Sequence, residues 1–210
     1  LFVVLPVAVG LFVVSDEVIH LLFFRGAFSE WAWHATATAL ALYGLGLPGM
    51  ASSTVILRAM YARRMPKAAV MVTAVTVAVN VCASLVLMPI FKYAGLAAAT
   101  AIAFTCASVY GWWALSRNLN QKINIFDRRW TMKMVISSGL MLLILVGIRL
   151  ILPYPHESAI LMRILWITGA MIIAASVYTA STVFLHCSEW QWIRGALKNK
   201  KKSDTADSKE

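Results

Sequence analysis

The sequence predicts an all-α membrane protein, a polytopic helix bundle with about six transmembrane helices. Apolar residues make up 60% of the 210 residues and charged residues only 13%, against about 45–50% and about 25% in typical globular chains. The mean hydropathy is +0.75. The apolar residues also form long continuous runs, without the two-residue alternation that is typical of membrane β-strands. So few charges could not cover a soluble surface, and a lipid environment is therefore indicated.

Charge and cysteine content argue against other protein classes. The formal net charge is +10, but the basic residues cluster beside apolar runs, so we predict no nucleic-acid partner. The cysteines Cys82, Cys106 and Cys187 are scattered and show neither a disulfide framework nor metal-ligand spacing. We therefore predict no metal ion and no cofactor.

Six apolar runs give the predicted spans, since a helix needs about 20 apolar residues to cross about 30 Å. The first, residues 1–14, begins inside an apolar stretch, and we expect its first turns to be missing. Ser15, Asp16 and Glu17 are predicted to interrupt this run before residues 18–24 resume it. The other predicted spans are 35–57, 68–90, 95–115, 132–152 and 160–186.

The distribution of Lys and Arg predicts the orientation of these spans. All but four of the 19 basic residues lie between spans two and three, between spans four and five, or in the tail. Cytoplasmic loops carry the excess of basic residues in membrane proteins. The pattern therefore predicts a multi-pass protein whose C-terminus is cytoplasmic.

Span two contains Gly46, Pro48 and Gly49 close together. Proline removes a backbone donor and crowds the preceding turn, and interrupted membrane helices are typical of the moving elements of transporters. We predict a helix hinge at these three residues. A plain kink that neighbouring helices stabilise remains the alternative.

Polar and small residues mark one face of each of the next two spans. In span three, Asn80 shares a face with Thr73, Thr76 and Ser84, which indicates either hydrogen bonds between helices or a polar path. Span four places a small residue at every fourth position, which predicts close helix packing. These small residues are Gly95, Ala99, Ala103, Ala107 and Gly111.

No convergent set of catalytic residues is apparent, so we predict that the chain is not an enzyme. The four histidines are scattered in the sequence. Asp16 and Glu17 are adjacent and near the predicted outer boundary, where they either end a helix in water or couple ion movement. Ending a helix in water is the more common role for such a pair of carboxylates.

Short motifs in a fixed order carry a family resemblance. Residues 21–28 read LLFFRGAF, residues 46–48 read GLP, residues 58–63 read RAMYAR and residues 95–97 read GLA. In this order they resemble the lipid II flippase family (MurJ/MviN), within the multidrug/oligosaccharidyl-lipid/polysaccharide exporter superfamily. The resemblance extends over residues 1–117.

The resemblance implies the C-terminal part of a fourteen-helix transporter. Such a protein exports the undecaprenyl-pyrophosphate-linked peptidoglycan precursor across the bacterial inner membrane. Residues 1–117 would be helices of the C-terminal lobe, residues 118–193 an additional helix pair with a groove for the lipid tail, and residues 194–210 a disordered cytoplasmic tail. The implied partners are the lipid-linked precursor, membrane lipids and the missing N-terminal lobe.

Within that function, we predict substrate contacts from four residues. Arg58 and Tyr61 share a face at the inner end of span two, where the planar guanidinium of Arg58 could hold a pyrophosphate. Asn80 and Arg25 complete the set. A purely orienting role for Arg58 is the alternative, and a related exporter of another glycan or of drugs, or a non-transporting membrane scaffold, stays open for the whole chain.

Overall fold

A computed structural model describes residues 1–23, 29–119, 128–155 and 160–185. These residues form six α-helices, and each is long and apolar enough to cross a membrane. The prediction of an all-α bundle with six spans is therefore confirmed. The helices are α1 (Val4–Phe23), α2 (Glu30–Ala62), α3 (Pro66–Phe91), α4 (Tyr93–Leu119), α5 (Arg128–Ile151) and α6 (Ile160–Phe184).

The first helix differs from the sequence prediction. α1 continues without a break through Ser15, Asp16 and Glu17, which were predicted to interrupt it. The side chain of Glu17 is only 3% exposed, and its Oε1 lies 3.0 Å from Nε of Arg149 on α5. Because a cation from another helix meets the carboxylate, the acidic residue stays inside the bundle and the helix does not end there.

The second helix is longer than its apolar run, because its N-terminus is capped by a polar residue outside that run. The Ser29 side chain accepts a hydrogen bond from the backbone N–H of Ala32 at 3.3 Å, and Glu30 follows in the first turn. Both features favour helix initiation. α2 therefore has 33 residues and a length of about 50 Å at 1.5 Å per residue, longer than a bilayer core requires.

Glycines allow the backbones of α2 and α4 to touch. A Cβ atom added at Gly46 would lie 2.9 Å from Cα of Ala101, and one added at Gly49 would lie 2.9 Å from the backbone nitrogen of Thr105. These distances are shorter than ordinary van der Waals contacts. Residues without side chains are therefore needed at both positions for the observed approach of the two helices.

The small residues of α4 are buried among neighbouring helices. Ala99, Ala103 and Ala107 are completely buried. A Cβ atom at Gly111 would lie 3.0 Å from Ile56 of α2 and 3.4 Å from Val72 of α3. The ridge thus lies where α4 meets its neighbours. At its other end, a Cβ atom on Gly95 would collide with the carbonyl of Leu87, in the tight connection between α3 and α4.

The pair formed by α5 and α6 packs against α1. A buried cluster joins the three helices, and the Tyr178 hydroxyl of α6 donates a hydrogen bond of 2.7 Å to the carbonyl of Phe2. α1 also packs against α2. It is therefore the helix that connects α5 and α6 to α2, α3 and α4. The buried cluster contains Val13, Val14, Met141, Leu145, Ala170, Ala174 and Tyr178.

Substitution of Gly46 or Gly49 by Ala tests the contact between α2 and α4. We expect each to lower the unfolding free energy by about 1–2 kcal/mol, since overpacking costs about 1–3 kcal/mol and the better helix propensity of Ala offsets part of it. The measurement is denaturant unfolding of the purified protein in detergent micelles.

Gly139→Ala is the matched control for this substitution. Gly139 also lies inside a helix, but an added Cβ atom there meets nothing within 4 Å outside its own helix. It should be neutral or slightly stabilising. Equal effects at all three glycines would mean that α2 and α4 do not touch in the way described.

Candidate functional site

A cluster of charged side chains joins α1, α2 and α5. Arg149 of α5 places Nε 3.0 Å from Oε1 of Glu17 and a terminal nitrogen 3.6 Å from Oδ2 of Asp16. It also donates a hydrogen bond of 3.5 Å to the carbonyl of Val13. From α2, Nδ1 of His34 lies 3.4 Å from Oδ1 of Asp16. Four ionisable side chains from three helices therefore meet at one point.

Aromatic rings enclose the buried side of this charged cluster. The indole of Trp33 donates a hydrogen bond of 2.9 Å to the carbonyl of Asp16. The buried ring of His20 contacts both Trp33 and Tyr154, with centroid distances of 4.7 and 5.5 Å. Burial raises the pKa of the Tyr154 hydroxyl, although Arg163 acts to lower it. Tyr154 is therefore protonated at neutral pH.

The arrangement binds helices together and shows no catalytic geometry. An isolated charge inside a membrane protein is costly, and such residues pair with one another. Because Glu17 and Asp16 both face Arg149, the prediction that these carboxylates end a helix in water is wrong. The sequence contained a signal for the pairing, since Arg149 is a lone cation inside an otherwise apolar run.

Asn80 lies on the face of α3 that meets α4. Its Nδ2 donates a hydrogen bond of 3.2 Å to Oγ1 of Thr100, and Ser84 donates to its Oδ1 at 3.4 Å. Thr100 in turn donates to the carbonyl of Leu96 at 3.0 Å. This chain of hydrogen bonds connects α3 to α4. Of the two interpretations of the polar face, it agrees with hydrogen bonding between helices. Substrate contact by Asn80 stays a prediction.

Arg58 and Tyr61 lie in the last turns of α2, which ends at Ala62. Both side chains are exposed. Asn80 lies near the middle of α3, about 20 Å along the helix from its first residue at 1.5 Å per residue, so the structure does not bring the predicted substrate residues into one pocket. Arg25 is outside the described residues.

The predicted hinge residues Gly46, Pro48 and Gly49 lie inside α2, which is helical from end to end. Pro48 is therefore accommodated without a break, and its carbonyl accepts a hydrogen bond of 2.7 Å from the Ser52 hydroxyl. A hinge at this point stays a prediction. The structure gives the flanking glycines a role in packing against α4.

An apolar cavity of about 540 Å³ lies between α5 and α6. The helices leave it open on one side, and its walls carry almost no polar groups. A cavity of this kind suits a hydrocarbon chain. Its lining residues are Ile136, Leu140, Val177, Ala180, Ser181, Phe184 and Leu185.

Comparison with known proteins identifies the family. Residues 1–184 match the family described as "Lipid II flippase MurJ". The chain belongs to the MurJ lipid II flippase family. It is 30% identical, over its whole length, to the probable lipid II flippase MurJ of Rhizobium tropici. It is 23% identical to that of Rickettsia prowazekii over 86% of the chain.

The helices also match a solved member of the MurJ family. A lipid II flippase MurJ in an inward closed conformation superposes with a TM-score of 0.68, at 22% sequence identity, and the match covers 87% of this chain and 37% of the other. That similarity supports the fold. The chain spans 40% of the length of the Rhizobium tropici relative and 36% of the Rickettsia prowazekii relative.

Removal of Arg149 tests the charged cluster. We expect Arg149→Met to lower the unfolding free energy by about 2 kcal/mol, because it removes the cation that lies 3.0 Å from the buried carboxylate of Glu17. The value is below the roughly 3–5 kcal/mol of a fully buried pair, since Arg149 is half exposed. Denaturant unfolding in detergent micelles measures it. Adding Glu17→Gln should restore part of the loss.

Lys92→Met is the control, since Lys92 is an exposed cation with no ion pair among the described residues. It removes the same charge and should change stability little. If Arg149→Met and Lys92→Met have equal effects, the carboxylates on α1 do not depend on Arg149.

Proposed function

We propose that this chain forms the C-terminal part of a lipid II flippase, which moves the lipid-linked peptidoglycan precursor across the membrane by alternating access. The observation that carries this proposal is the family match over residues 1–184. The activity belongs to the full-length protein, since the chain spans 40% of the first relative's length.

The chemistry of the substrate defines what the protein must supply. A pyrophosphate–sugar–peptide head cannot enter hydrocarbon unaided, because each unpaired charge there is costly. It needs a polar cavity that opens alternately to the two sides. The polyprenyl tail can stay in an apolar environment throughout, and the open cavity between α5 and α6 supports a role in holding it.

Arg58 and Tyr61 are the proposed contacts for the head group. Arg58 is exposed at the end of α2, and no described carboxylate forms an ion pair with it. Its guanidinium presents parallel donors that fit a phosphate better than a point charge does. Asn80 and Arg25 are proposed as further contacts along the path.

Alternating access requires helices that move together, and α2 is the proposed moving element. Gly46 and Gly49 hold α2 in backbone contact with α4. A movement of α2 would therefore carry α4 with it, because the two helices touch on both sides of Pro48. A unit that moves as one body fits the rocking motion of transporters built from two lobes.

The remaining assignments follow from this function. Residues 1–117 are proposed as helices of one lobe, residues 118–193 as the helix pair for the lipid tail, and residues 194–210 as a cytoplasmic tail. The proposed location is the bacterial inner membrane with the C-terminus in the cytoplasm, which the distribution of Lys and Arg supports. The other lobe would come from the N-terminal part of the same protein.

Arg58→Lys in the full-length protein tests the head-group contact. Lysine keeps the charge but lacks the paired donors of the guanidinium, so we expect at least a tenfold loss of flipping, with normal abundance. The measurement is the amount of lipid II at the outer surface of cells depleted of their own flippase.

Arg63→Lys is the matched control, because Arg63 is an exposed cation that follows α2 directly. It should keep full activity. Full activity of Arg58→Lys, combined with a loss on removal of the charge in Arg58→Gln, would show that Arg58 acts only through its charge on orientation and headgroup attraction.

A further inference from the structure

A second cavity lies where α3 begins and α4 ends, at the same end of the bundle as the C-terminus of α2. Its volume is about 510 Å³. Lys67 lines it from the first turn of α3, and Tyr110, Trp113 and Arg117 line it from one face of α4. We call this cavity the basic pocket. Arg58 and Tyr61 do not line it.

One basic side chain of this pocket, that of Arg117, is held against an aromatic ring. The guanidinium carbon of Arg117 lies 5.3 Å from the ring centroid of Trp113, and Trp113 in turn lies 5.8 Å from Tyr110. A guanidinium stacked on an indole is attracted to the ring and still presents its N–H donors at the edge. An adjoining cavity of about 410 Å³ adds Arg64 beside Lys67.

No carboxylate of the described residues is available to neutralise these cations. Asp16, Glu17 and Glu30 are the acidic residues in the described parts of the chain. Glu30 is in the first turn of α2, and Asp16 and Glu17 lie near it, beside His34 and Arg149. The basic pocket is at the opposite end of α2. An anion that reaches this pocket therefore meets cations that no described carboxylate neutralises.

Part of the lining of the basic pocket is apolar and exposed. Met71 of α3 lines the pocket and has 54% of its surface accessible. Trp113 is also half exposed, and aromatic rings of this kind prefer the level of the lipid headgroups. A ligand that matches both regions must have an anionic head and a hydrocarbon tail.

We propose that the basic pocket binds the phosphate headgroup of an anionic membrane phospholipid. Lys67 and Arg117 contact the phosphate, and an acyl chain lies along Met71. Basic pockets between transmembrane helices at the membrane surface are suited to such headgroups. A bilayer lipid is the favoured source because exposed apolar side chains, those of Met71 and Trp113, line the pocket together with the cations. This inference does not depend on the proposed function.

Native mass spectrometry of the full-length protein tests the site with phosphatidylglycerol as the probe and phosphatidylcholine as the zwitterionic comparison. We expect the wild type to retain phosphatidylglycerol preferentially. Each cation near the membrane surface contributes about a fivefold change in affinity. Lys67→Gln or Arg117→Gln alone should therefore weaken binding roughly fivefold, and the double variant roughly 25-fold.

Arg63→Gln is the matched control. It removes one exposed cation from the same end of the bundle, but Arg63 lines neither cavity, so phosphatidylglycerol binding should be unchanged. The unfolding temperature of each variant should stay at the wild-type value, since both substituted side chains are exposed. Equal loss in the control and pocket variants, or no loss in any of them, would overturn the proposal.

Two competition experiments separate the sources of phosphate. Inorganic phosphate in large excess should not displace phosphatidylglycerol, because it lacks a tail; complete displacement would mean a site for soluble anions. Undecaprenyl pyrophosphate should displace it no better than additional phosphatidylglycerol does. Tighter binding of the pyrophosphate, lost in the Lys67→Gln and Arg117→Gln double variant, would assign the pocket to the transport path and overturn the phospholipid proposal.

Discussion

The contact between Glu17 and Arg149 is the constraint on which the arrangement of the helices depends. A carboxylate that is 3% exposed in a membrane protein requires a cation, and that cation comes from α5. The requirement sets which faces of α1 and α5 meet, and the cluster around Val13, Met141 and Tyr178 packs in the same register. Because α6 packs against both α1 and α5, the contact between Glu17 and Arg149 also fixes the position, relative to α1, of the apolar cavity between α5 and α6.

The other helices are held together by close approach. In lipid there is little hydrophobic drive for helices to associate, so packing and hydrogen bonds must supply the attraction. Gly46 and Gly49 bring α2 against α4, and Asn80 with Thr100 joins α3 to α4. The two parts of the structure therefore use different forces, ion pairing for α5 and small residues for α3 and α4. Both parts meet at α1 and α2.

Hydropathy was sufficient to predict the number of helices, because each span must satisfy its own backbone in lipid. It failed at Ser15, Asp16 and Glu17, because a pattern read one run at a time cannot show that Arg149 neutralises the carboxylates.

Spacing alone placed Ala99, Ala103 and Ala107 on one face, and the resemblance pointed to the family. Spacing could not show which helix that face contacts, nor could it distinguish a hinge from packing at Gly46. The substrate residues remain predictions, since Arg58 and Tyr61 lie at the end of α2 and Asn80 lies near the middle of α3.

We propose that this chain supplies one part of a flippase and acts only together with the other lobe. Translocation of fluorescent lipid II in reconstituted vesicles tests it most directly, for the full-length protein and for residues 1–210 alone in parallel. We expect translocation by the full-length protein and none by residues 1–210, although these residues should insert and fold. Translocation by residues 1–210 alone, or none by a correctly folded full-length protein, would contradict it.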